Sequence, residues 1–213
     1  MRIMMDKRTF KPEQLLILIL PVLCSLLGLT QGSGNPLDAP RNGIGQSQIY
    51  LATGIVTAII ALFVYLRWIY PALMTVVIMP LIFSLLIVTL TPEKISLFML
   101  YPPIFLFTLM IFLGLKYIFY LPALLRFRTI LFSLYAGASL TLYFRIQYLF
   151  MKVPPEAGFW VNRFVNSLLL YIFIALGISI ADMFITHREV KKLQAERREA
   201  ILNDEIDEDD DDL

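Results

Sequence analysis

Six long apolar runs fill most of this chain, and the Lys and Arg residues between them gather on alternate connections. An apolar run of about 20 residues, rising 1.5 Å per residue, matches the hydrocarbon thickness of a bilayer. The pattern therefore predicts an all-α integral membrane protein, a bundle of six transmembrane helices. The spans are expected at 14–29, 49–66, 72–90, 103–120, 130–150 and 162–185. With the N-terminus in the cytoplasm, the inner segments hold 13 of the Lys and Arg residues and the outer segments 5. Positive charge is retained on the cytoplasmic side of membrane proteins, and only an even number of spans produces this split. Both termini are thus expected in the cytoplasm, with a bacterial inner membrane as the default setting.

Composition agrees with that class. Hydrophobic residues make up 58% of the chain and charged residues 16%, against about 45–50% apolar content in soluble domains. Residues 1–185 read as one membrane domain, and no stretch is left for a separate soluble one. The net charge of +1 is the sum of two segregated parts, because eight of the 17 acids lie in residues 204–213. Residues 186–203 carry Val190, Leu193, Ala200 and Ile201 at helical spacing and should continue the sixth helix into the cytoplasm. The acidic run after them repels itself and is expected to be disordered, with a basic cytoplasmic surface as its natural partner. Nucleic acid is not expected as a partner.

Two segments carry alternative readings. Arg2, Lys7, Arg8 and Lys11 followed by an apolar run also describe a signal peptide, with the small polar residues 30–34 as a place to cut. The charge split favours an uncleaved signal-anchor. Tyr101-Pro102-Pro103 interrupts a run too long for one untilted span. Either 95–100 is a short interfacial or re-entrant segment with the span starting at Pro103, or the whole run is one proline-kinked helix. The connection 31–47, rich in glycine and proline, should be an irregular outer loop. Trp68 and Tyr70 mark one membrane boundary, and Tyr148, Phe159 and Trp160 the other.

The inventory for catalysis is thin. His187 is the only histidine and Cys24 the only cysteine, so no Cys/His zinc set and no disulfide can form within the chain. No His-Glu-x-x-His, Gly-x-Ser-x-Gly, Walker or dinucleotide glycine motif is present. The expectation is a protein without catalytic residues, metal or cofactor. Ionisable groups inside a membrane are functional candidates by default. Here they are Asp182, the only acid in a span, and Arg145, accompanied by Gln147, Asn162 and Asn166. Depth sets Arg145 near the outer face and Asp182 near the inner one. They should not meet, and each is expected to reach for water or phosphate at its own interface.

Packing faces are the most specific pattern. Ser133, Gly137, Thr141 and Arg145 recur every fourth residue of the fifth span. Gly54, Ala58 and Ala61 form a similar stripe on the second, and Gly177 with Ala181 on the sixth. Small residues let membrane helices approach closely, whether within one bundle or against a partner. The expected function is a non-catalytic integral subunit or assembly scaffold of a larger membrane complex, contacting lipids and other integral subunits or copies of itself. The alternative is a small homo-oligomeric transporter or channel for an apolar or weakly polar solute.

Overall fold

The computed structural model describes residues 10–32, 46–90, 97–121, 125–151 and 159–210. Every element among them is helical: a 3-10 turn at Pro12–Leu15, then α1 (Leu16–Gly32), α2 (Gln46–Tyr65), α3 (Ile69–Leu90), α4 (Leu97–Gly114), a π-helical turn (Leu115–Phe119), α5 (Arg128–Met151) and α6 (Phe159–Asp210). In apolar surroundings a backbone N–H has no water to bond, so helices that satisfy their own backbone are the expected outcome of such runs. Four stretches, Ile69–Thr89, Leu100–Phe119, Arg128–Ile146 and Phe159–Arg197, are long and apolar enough to cross a membrane. Those of α1 and α2, Pro12–Leu27 and Leu51–Tyr65, are shorter.

The six helices close a ring in chain order. Each packs on its neighbours in sequence, and α6 returns to α1. α2 sits innermost, touching α4 and α6 as well, and its Val56, Ala58, Ile60 and Ala61 are buried. Lipid is as apolar as leucine, so burial alone draws such helices together weakly; close backbone approach and interhelical bonds have to contribute. The glycines show where that approach occurs. A Cβ on Gly177 would lie 2.9 Å from Cα of Pro21 on α1, and one on Gly137 would lie 3.0 Å from Cα of Leu168 on α6. Between these crossings aromatic rings fill the interior, with Phe132 edge-on to both Phe119 (5.5 Å) and Tyr171 (6.1 Å).

The turn between α2 and α3 takes only three residues. Trp68 N–H donates to the Phe63 carbonyl at 2.8 Å and Arg67 N–H to that of Val64 at 3.0 Å, which closes α2 with paired end bonds. The stacked rings of Phe63 and Trp68, 6.3 Å apart, supply the apolar contact that accompanies such a cap. Arg67 occupies the left-handed position with φ 59°, where glycine is the usual residue.

Two expectations are corrected by the helices themselves. Residues from Leu97 onward belong to α4, with Pro102 and Pro103 inside it, so 97–100 is not a separate re-entrant segment. Each proline removes one backbone donor, and the helix continues past them. Tyr101 stacks on Phe105 at 5.8 Å, spanning the proline pair. The second correction concerns the acidic run. α6 extends to Asp210, so 204–210 is helical, whereas charge repulsion alone leads one to expect disorder. No glycine or proline follows Gly177 in α6, and propagation of an existing helix is cheap compared with its nucleation. Residues 211–213 and most of the predicted outer loop 31–47 lie outside the described residues.

Candidate functional site

The most polar constellation inside the bundle lies where α5 begins and the apolar part of α6 ends. Arg128, the first residue of α5, donates from Nη1 to Oδ2 of Asp182 at 2.8 Å. The two side chains are only 15% and 17% exposed. A cation at a helix N-terminus opposes the helix dipole, and the Asp182 carboxylate offsets that cost directly. The π-helical turn supplies the third member. Tyr120 N–H bonds the Leu115 carbonyl five residues back, at 3.0 Å, and this wide turn points Phe119 inward. Its ring lies 4.9 Å from Cζ of Arg128, a cation–π contact beside the ion pair.

Hydroxyls continue the α5–α6 seam inward. Thr129 and Ser179 share a hydrogen bond of 3.0 Å. Ser133 donates to the Thr129 carbonyl (2.7 Å) and the Tyr171 carbonyl (3.1 Å), and Gly137 then meets the Leu168 backbone. Taken together, these contacts clamp two antiparallel helices at one end and along half their length. A carboxylate held by a guanidinium and backed by hydroxyls suits that clamping role.

Asp182 thus turns to Arg128, where the sequence led one to expect it to reach for water or phosphate. A fixed cation at hydrogen-bonding distance, shielded from solvent, outcompetes a mobile headgroup. Arg145 is exposed at the far end of α5, apart from Asp182. Asn162 is exposed and Asn166 half-buried, while the Gln147 side chain lies outside the described residues. His187 is exposed on α6 beyond the bundle. No group of three His, Cys, Asp or Glu side chains that could hold a metal occurs among the described residues.

Each predicted stripe faces another helix of this chain. Gly54 meets Ser25 on α1, Ala58 and Ala61 are fully buried, and Gly177 and Ala181 are buried on the face of α6 that contains the α1 crossing. Thr141 donates to the Gly137 carbonyl of its own helix at 2.9 Å, so it adds no bond across the seam.

A second polar group was not singled out in the sequence. Thr57 on α2 faces the Tyr171 hydroxyl on α6, and Ser167 lies one turn from Tyr171. All three are buried; Thr57 and Tyr171 have only each other to bond, and the Ser167 hydroxyl has no hydrogen-bond partner among the described residues. By contrast, Ser25, Thr75, Ser139 and Thr141 each bond a carbonyl of their own helix. The four-residue spacing of Ser167 and Tyr171 was visible; that α2 would supply Thr57 opposite them was not.

No protein-family model, characterised protein or solved structure matches this chain.

Proposed function

We propose that the chain is a non-catalytic, multi-pass membrane subunit that acts as an assembly scaffold, with both termini in the cytoplasm of a bacterial cell. The observation that carries this reading is the continuity of α6. Its 52 residues run unbroken from the bundle into a charged arm, a length of about 78 Å at 1.5 Å per residue. The 3-10 turn before α1 braces the arm where it leaves the bundle. Lys11 pairs with Glu189 at 3.5 Å and Glu13 with Arg188 at 3.4 Å. Exposed pairs of this kind contribute little stability, about 0–1 kcal/mol each, but two on adjacent α6 residues define an exit direction. From Lys191 to Arg197 every side chain is exposed. A braced helix carrying charge away from a closely packed bundle suits the presentation of a binding surface at a set height above a membrane.

Removing 191–213 and comparing the proteins that co-purify from mild detergent tests the reading. A partner recovered in fixed ratio with the full chain and lost from the truncated one is the expected result. Identical co-purifying proteins for both chains would contradict it. The buried hydroxyl cluster of Thr57, Ser167 and Tyr171 favours a second reading, a small homo-oligomeric transporter or channel for an apolar or weakly polar solute, since Ser167 in it has no hydrogen-bond partner among the described residues. Solute movement by the purified protein alone in liposomes would select that reading over a scaffold.

A further inference from the structure

We propose that the turn joining α4 to α5 binds the headgroups of anionic phospholipids, a conclusion that rests on the chain being an integral membrane protein. Two kinds of side chain meet there. Leu125, Phe127 and Ile130 are exposed by 56%, 62% and 62% and present apolar surface at this turn. Arg126 lies between Leu125 and Phe127 in the chain, and Lys116 is on the π-helical turn that precedes them. Lys116 Nζ lies 4.8 Å from the centre of the Tyr117 ring and 5.9 Å from that of Phe112, so its charge is held at the edge of the apolar surface. Arg126 is exposed and makes no ion pair among the described residues.

The positions of the acids sharpen the assignment. Glu13, Asp182, Glu189 and Glu196 are the acids whose side chains are described, and each is already paired with a base: Arg188, Arg128, Lys11 and Lys192 respectively. None of them faces Lys116 or Arg126. Lys11, Arg128, Arg188 and Lys192 are therefore neutralised within the protein, whereas Lys116 and Arg126 make no ion pair among the described residues. An apolar turn whose cations are unpaired among the described residues matches the boundary between acyl chains and phosphates: the apolar side chains enter the first, and the cations meet the second. A soluble acidic partner would satisfy the cations and leave Leu125, Phe127 and Ile130 unexplained. A zwitterionic lipid surface would accept those three residues and offer the cations no net charge.

The test uses the full chain in nanodiscs of phosphatidylcholine, alone or with phosphatidylglycerol, and reads the lipids that stay bound by native mass spectrometry. The wild-type protein should retain phosphatidylglycerol in preference to phosphatidylcholine. Lys116→Gln with Arg126→Gln should weaken that retention about 30-fold, as expected for two cations near an anionic surface, while leaving the melting temperature in phosphatidylcholine unchanged. The charge-keeping pair Lys116→Arg with Arg126→Lys should retain it. Equal retention of both lipids by the wild type, or an undiminished preference in the glutamine variant, overturns the proposal. If the glutamine variant does not fold, the salt dependence of the wild type decides: retention that falls with salt supports the proposal, and retention indifferent to salt overturns it. A chain released by alkaline carbonate would refute the membrane reading itself, whereas an integral chain indifferent to phosphatidylglycerol refutes only this site.

Discussion

Gly177→Ala and Gly114→Ala introduce the same methyl group at nearly the same nominal overlap, yet they should behave in opposite ways. At Gly177 the new Cβ would lie 2.9 Å from both N and Cα of Pro21 and 3.0 Å from the carbonyl carbon of Leu20. At Gly114 it would lie 2.8 Å from two ring carbons of Tyr135. Ordinary carbon–carbon contact begins near about 3.5 Å. Each methyl must therefore gain several tenths of an ångström. At Gly114 the half-buried Tyr135 ring can swing aside. At Gly177 the neighbours are backbone atoms of α1, so the whole helix has to move and contacts along the α1–α6 seam loosen. Overpacking of that kind costs about 1–3 kcal/mol. The helix propensity of alanine returns about 1 kcal/mol at either site. Gly177→Ala should be destabilising by up to about 2 kcal/mol and Gly114→Ala neutral or slightly stabilising. For a chain of this size 1 kcal/mol corresponds to about 2–4 °C in melting temperature. Thermal unfolding of the two variants in one detergent reads the difference. A Gly177→Ala protein that melts at or above the Gly114→Ala protein would refute the described α1–α6 crossing.

Three other outcomes follow from single contacts. Gly137→Leu should be severely destabilising because it forces α5 off the Leu168 backbone, whereas Thr141→Val should cost less than about 1 kcal/mol, its hydroxyl bond lying within α5; comparable losses in detergent stability for the two variants would place the seam elsewhere. Arg67→Gly should raise stability by about 1 kcal/mol by relieving the left-handed backbone at φ 59°, an effect read as a higher melting temperature. Asp182→Asn and Arg128→Gln should each cost more than half of what the double variant costs, since either alone leaves a shielded charge without its partner; strictly additive losses in a double-mutant cycle would show that the pair is not coupled.

Much of the helical layout is legible in the apolar runs, because a segment that cannot bond water can only be a helix within a bundle. The stripe at Gly137 and the pair Gly177 and Ala181 were legible for the same reason: little else explains small residues four apart among leucine and phenylalanine. The prolines of α4 were ambiguous, since Pro102 and Pro103 are compatible with either a new helix start or a second turn. Residue type alone does not decide between the two. The Arg128–Asp182 pair could have been found by register. The connection between α5 and α6 is centred on residue 155, and in an antiparallel hairpin partners are equidistant from the centre. Arg128 and Asp182 both lie 27 residues from it. Treating Arg128 only as part of a charge tally hid that symmetry. Opposition of Thr57 and Tyr171 was beyond reach, because it depends on α2 occupying the middle of the ring, a matter of packing between helices distant in sequence.

The account stands most directly on six crossings with both ends of the chain on the cytoplasmic side. In a Cys24→Ala background, single cysteines at Gly43, Glu156 and Glu199 can be probed in intact cells with a membrane-impermeant maleimide. The account predicts labelling at Gly43 and Glu156 from outside, and at Glu199 only after the membrane is opened. Labelling of Glu199→Cys in intact cells would contradict it, since the arm that the proposed function depends on would then point away from the cytoplasm.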